Sequence, residues 1–165
     1  MAKRIVTKIG DIFCVKLDDG RQRFFQYIAN DLSNLNSSVI RVFKKIYSSD
    51  YILNTEEVIN GDIDFYTHTV LKFGIVENMW EKVGKNPNVG DTEHIYFRMY
   101  IHDAIDHRER IWEMWQINKR CETIGKLTKQ YKEHSDIGLV FSYISTYERI
   151  KTGILPGTMF TPDEY

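Results

Sequence analysis

The sequence is short of almost everything that would mark a specialised environment. Its 165 residues include only two cysteines, Cys14 and Cys121. They lie far apart and form neither a CxxC pair nor a Cys/His frame, so neither a disulfide scaffold nor a zinc-built one is indicated. Two free thiols in a reducing compartment is the plain reading. The net charge is −1, which provides no global field for nucleic acid or an anionic membrane. No stretch approaches the roughly 18 apolar residues of a membrane span. The opening MAKRIVTKIGD is basic but lacks the apolar core of a signal peptide. A cytoplasmic protein is therefore expected. GxSxG, HExxH, P-loop and dinucleotide-binding glycine patterns are all missing. Neither an enzyme nor a cofactor or metal is expected.

What is present suits a packed domain. Hydrophobic residues make up 42% and aromatic residues 13%, so disorder is excluded for the body of the chain. One domain over residues 1–165 is the simplest organisation. The stretch that organises it is Ile9–Ile28, IGDIFCVKLDDGRQRFFQYI. Phe13, Val15 and Leu17 alternate with Ile12, Cys14 and Lys16. Beyond Asp18-Asp19-Gly20, Phe24 and Ile28 fall opposite Phe25 and Tyr27. Period two with aromatic and β-branched residues predicts two half-buried strands. The Asp-Gly pair predicts the tight turn between them.

Further along, the Asn- and Ser-rich Ala29–Ser38 predicts a loop, and Val39–Tyr47 a third antiparallel strand. Asn54–Glu57 predicts the start of a short helix, capped by Thr55 and ended by Gly61. Phe65–Ile75 reads as a strand, and the strand leading to Asn86-Pro87 must stop before the proline. Tyr96–Ile101 is a further strand. His102–Arg110 is a charged excursion. Arg110–Asn118 suits a strand in preference to a helix. Leu127–Glu133 allows a helical turn or two, and Ser142–Gly153 predicts a helix with Ile144, Tyr147 and Ile150 on one face. The final ILPGTMFTPDEY reads as extended. The fold class expected is α+β, mainly β: a bent antiparallel sheet or an SH3-like barrel with short flanking helices.

Candidate chemistry is sparse. Asp62-Ile63-Asp64 opens like a calcium loop but lacks the ligands that should follow, so turn chemistry is preferred. On a helix, His102 would share a face with Asp106 and Asp103 with His107, a spacing that could hold zinc or serve acid–base work. A solvated connection between strands is preferred. His68, in an apolar strand, reads as a satisfied half-buried side chain. Tyr96, Tyr100, Trp112 and Trp115 could form a stacking surface for single-stranded nucleic acid, anchor a protein partner or pack in the core. Asp103, Asp106, Glu109 and Glu113 are interleaved with Arg108 and Arg110, and a second acidic group, Asp50, Glu56, Glu57, Asp62 and Asp64, lies around the short first helix. Together they could face a basic partner, but solvated loops are preferred.

Three stretches carry a resemblance. GDIFCVKLDDGRQRFFQYI resembles the opening of the bacterial immunity protein 26 family. Trp80-Glu81-Lys82-Val83-Gly84 with Pro87 resembles that family's Trp…Gly…Pro element. Ile137–Val140 with Tyr147–Gly153 is similar to its closing Arg-Ile-x-x-Gly helix. The resemblance implies a compact β-rich immunity protein, encoded beside a polymorphic toxin and neutralising that toxin by binding it. Its motifs identify the scaffold and mark no contact residues. The expected interface is therefore the charged segment and its flanks: Tyr100, His102, Asp103, Asp106, His107, Glu109, Trp112 and Trp115. A cognate toxin is the expected partner. A nucleic-acid-binding barrel is the alternative, disfavoured by the near-neutral charge.

Overall fold

The computed structural model describes residues 4–102 and 109–155. The opening hairpin forms as its pattern requires, β1 (Asp11–Lys16) pairing antiparallel with β2 (Gln22–Asp31). The turn closes by Gly20 N–H donating to the Leu17 carbonyl and Leu17 N–H donating to that of Arg21. Gly20 sits at φ 84°, a conformation that side chains resist. The Asp19 carboxylate accepts from the Arg21 backbone and guanidinium.

Around the hairpin stand β3 (Ser37–Tyr47), α1 (Thr55–Ile59), β4 (Ile63–Thr69), α2 (Leu71–Val76) and β5 (Glu81–Lys85). There follow β6 (Tyr96–His102), β7 (Ile111–Gln116), β8 (Glu122–Gly125), α3 (Lys129–Glu133), β9 (Asp136–Ile137), β10 (Val140–Phe141) and α4 (Tyr143–Thr152). One sheet has six strands in the order β10-β4-β3-β2-β1-β5, the other four in the order β8-β7-β6-β9. The chain is mainly β, with short helices, as expected. Both sheets stay open and each is mixed, because β10 and β9 join β4 and β6 in parallel. The barrel alternative does not form.

The six-stranded sheet is buried on both faces, where half-burial was expected. On one face Phe13, Val15, Phe25, Tyr27, Ile40 and Val42 pack with Leu71 of α2, Trp80 and Ile150 of α4. On the other, Ile12, Cys14, Phe24, Phe43 and Tyr47 pack with Val58 and Ile59 of α1. A third cluster joins the sheets, Ile28 and Val39 meeting Ile95, Phe97, Trp115 and Ile117.

Several boundaries differ from expectation, each for a tertiary reason. The predicted loop shrinks to 32–36, because Asn30 and Asp31 continue the ladder opposite Ser38 and Ser37. Asn36, at φ 45°, helps turn the chain back. The cap of α1 is Asn54, not Thr55, its Oδ1 accepting from Glu57 N–H at 3.2 Å. Leu71–Val76 is helix where strand was expected. Gly74 offers a bare backbone for the Trp80 ring to lie across, and Trp80 Nε1 donates to the Leu71 carbonyl at 3.0 Å. In α4 the buried pair is Thr146 and Ile150, while Ile144 is 52% exposed. Ser142 caps that helix and Gly153 closes it at φ 72°. Strand β8 was not anticipated. The extended reading of the final residues falls largely on 156–165, outside the described residues.

Both thiols are free, Cys14 buried and Cys121 half-buried. Burial pushes each up to about 11, so both stay protonated and unreactive at neutral pH. Among the described residues no helix is long and apolar enough to cross a membrane.

Candidate functional site

Of the residues expected at an interface, Tyr100, His102, Trp112 and Trp115 lie on strands of the four-stranded sheet, with different roles. Tyr100 and Trp112 are cross-strand partners on β6 and β7. Their rings meet edge to face at 5.6 Å, and the Arg110 guanidinium lies 4.1 Å above the Tyr100 ring. Trp112 is only 1% exposed and Arg110 3%. Trp115 pairs with Phe97 on the opposite face of the sheet, turned toward the six-stranded one. Neither indole is a surface anchor or a stacking platform in this structure; both are core. Tyr100 is half-buried and Glu109 exposed. His102 ends β6, paired with Ile111. Asp103, Asp106 and His107 lie outside the described residues. The segment's exposed flanks include Ile101 and Ile111, 42% and 40% exposed.

The second acidic group is spent on intramolecular partners. Glu57 accepts from Lys45 at 2.7 Å and from the Tyr51 hydroxyl at 3.0 Å. Those bonds hold its carboxyl below the usual range. Glu56 accepts from Asn86, Asp64 from Arg23, and Asp50 from Ser48. Asp62 is the exception: what it contributes is its backbone carbonyl, accepting from Lys44 N–H across the β3–β4 pairing. Among the described residues no cluster of His, Cys, Asp and Glu could hold a metal ion.

Sequence reasoning missed the most concentrated polar chemistry in the molecule. At the end of β2, Asp31 is fully buried. Its Oδ2 accepts from Trp115 Nε1 at 2.9 Å and from His68 Nε2 at 3.0 Å. Its Oδ1 accepts from Asn118 N–H at 3.3 Å. Burial opposes ionisation, but these hydrogen bonds outweigh it and hold the carboxyl below the ordinary aspartate value. His68 is fully buried, not half-buried, and among the described residues its Nδ1 has no partner. Burial pulls its pKa below the usual histidine value against the opposing pull of Asp31. The only signal in the sequence was an aspartate closing one strand and a lone histidine within another.

Two open clefts flank this frame. One, of about 370 Å³, lies where β1 and β5 meet α2 and α4, lined by Cys14, Ile75, Met79, Trp80 and Tyr147 among others. The other, of about 430 Å³, runs between the sheets beside Tyr66, His94, Tyr96, Arg98 and Asp136. Neither collects a nucleophile–base pair of the kind hydrolytic chemistry needs.

The described residues form a β-rich frame of two sheets with a buried polar junction between them. Comparison with known families places it among the immunity proteins. The family model of immunity protein 26 matches residues 8–111, and the chain belongs to that family. The match runs from the opening hairpin through β6 to the first residue of β7. It includes the Trp80 element, whose ring is core, and excludes the closing helix. No curated protein matches the chain. No solved structure matches it.

Proposed function

We propose that this protein binds a cognate bacterial toxin of a polymorphic toxin system and neutralises it by covering its active site or an exosite. The observation that carries this reading is the immunity protein 26 match over residues 8–111. Inhibition by coverage requires surface complementarity and no covalent step, so the protein acts as a binder and not as an enzyme. It meets the toxin in the cytoplasm of the producing cell.

The contact surface we assign is the end of the four-stranded sheet: Tyr100, His102 and Glu109, with Asp103, Asp106 and His107 in the connecting segment. Exposed Ile101 and Ile111, with Glu109 exposed and acidic residues in the connecting sequence, offer the apolar and charged side chains an interface combines. Trp112 and Trp115 support that end from within the core. Against a basic toxin, Asp103, Asp106 and Glu109 speed encounter by electrostatic steering.

Affinity capture from the source bacterium, read by mass spectrometry, tests the class. One stoichiometric partner bearing a toxin domain is the expected result. Nucleic acid recovered in its place, and shed at high salt, overturns the reading. With the toxin in hand, reversing Asp103, Asp106 and Glu109 together is expected to slow association and flatten its salt dependence. An unchanged rate moves the interface elsewhere.

A further inference from the structure

The polar junction between the sheets has an incomplete half. Its donors hold the Asp31 carboxyl below the ordinary aspartate value, so His68 Nε2 is assigned as a donor to it. That leaves Nδ1 of the neutral ring as a bare lone pair inside the protein. Nothing described accepts or donates at that atom. The surroundings come from every layer. Across the ladder His68 faces Val39 of β3 and Val140 of β10. The Phe97 ring of β6 lies 4.3 Å from the imidazole, and Trp115 of β7 shares its acceptor oxygen. On α4, the Thr146 hydroxyl bonds the neighbouring Thr69. Charged groups on these elements are engaged elsewhere. Arg41 donates to Gln26 and to the Asn88 carbonyl, Asp136 accepts from Tyr66 N–H and Arg149, and Glu113 accepts from Cys121. Among the described residues Asp31 alone acts on the ring by charge.

We propose that His68 is a proton-operated latch between the two sheets. Neutral, it completes the hydrogen bonding of Asp31, the same carboxylate that holds Trp115 of the four-stranded sheet. Protonated, it carries a buried charge and an Nδ1–H with no acceptor, a combination folding avoids. Attraction to Asp31 offsets part of that cost, but the ring is wholly out of water. Relief comes by the sheets parting at the His68–Phe97 contact, which brings water to the ring. The sign follows from linkage. A histidine whose folded pKa lies below its unfolded value of about 6.5 adds stability above that pH and loses it as pH falls through the folded value. The lowered Asp31 acts in the same sense at more acid pH, below its unfolded value of about 3.9. A toxin held on the four-stranded sheet would be released by the same event, a consequence that rests on the proposed function; the latch itself does not.

The test uses the full chain alone, so its outcome is separable from toxin binding. Denaturant unfolding of wild type and His68→Gln is followed from pH 7.5 to 5.0, with hydrogen exchange at matched pH. Gln can keep an N–H toward Asp31 and does not titrate. Wild type is expected to lose stability over this range, with a limiting slope of about tenfold in the folded ratio per pH unit, that of one proton. Exchange should rise in β6 and β7 before β1 and β2, and His68→Gln should remove the His-dependent loss. Wild-type stability that is flat or rises on acidification overturns the latch, as does an equal loss in the variant. If His68→Gln does not fold, imidazole nitrogen shifts of wild type decide. A neutral Nε2–H ring that titrates below 6.5 supports the proposal, and one charged at pH 7 overturns it.

Discussion

The two sheets are held by different physics. The six-stranded sheet lies between two apolar layers, with Phe13 stacked on Phe25 at 5.0 Å and Trp80 edge-on to Phe25 at 5.4 Å. The four-stranded sheet turns its Phe97–Trp115 face to its neighbour and fastens there partly through Asp31. Burial on both faces makes the first sheet a scaffold that tolerates little. Apolar contact on one face plus a polar seam makes the second a dependent layer. The family match cuts across that division, taking in β6 of the second sheet and leaving out β10 of the first.

The sharpest way to break this contrast is Trp80→Ala. It is expected to cost about 3–5 kcal/mol, the usual loss for a buried large aromatic, and to unfold both sheets together in denaturant titrations. A loss confined to the second sheet would reverse their order. Asp31→Asn should cost about 1–3 kcal/mol, because buried donors on Trp115 and His68 lose their charged acceptor. Its hydrogen exchange should rise first in β6 and β7. Gly138→Ala is expected to cost about 1–3 kcal/mol by overpacking, since its Cβ would sit 2.0 Å from the Trp115 ring. Tryptophan fluorescence should record that as a shift of one emission band. At neutral pH the wild-type chain is proposed to unfold in one step, as a single domain. Circular dichroism and fluorescence transitions should therefore coincide, and separated midpoints would split the molecule along its seam. Asn54→Ala, which removes only the cap of α1, should cost about 1 kcal/mol. It should leave exchange in the second sheet unchanged.

Much of this was legible before any coordinates. The opening hairpin, the Asp-Gly turn, the strand before Pro87, the Ser142–Gly153 helix and the family resemblance all rest on signals within a few residues of one another. The failures share one cause. Leu71–Val76 carries β-type residues yet coils into a helix, because Trp80 needs the bare face of Gly74. Trp112 and Trp115 read equally well as anchors or core until the sheet pairing put both inside. Around α1, Glu57, Glu56 and Asp64 bond Lys45, Asn86 and Arg23, partners set by packing that the solvated-loop reading did not name.

By itself the sequence determined the local geometry: where strands alternate, where a glycine must take positive φ, and the family to which the chain belongs. These depend on neighbours along the chain, which the order of residues states directly. The tertiary structure alone decided that there are two sheets and not a barrel, and that the tryptophans are buried. It alone brought Asp31 to His68, 37 residues away, and to Trp115, 84 residues away. Those contacts follow from which apolar faces find each other, a property of the folded whole that no local pattern encodes.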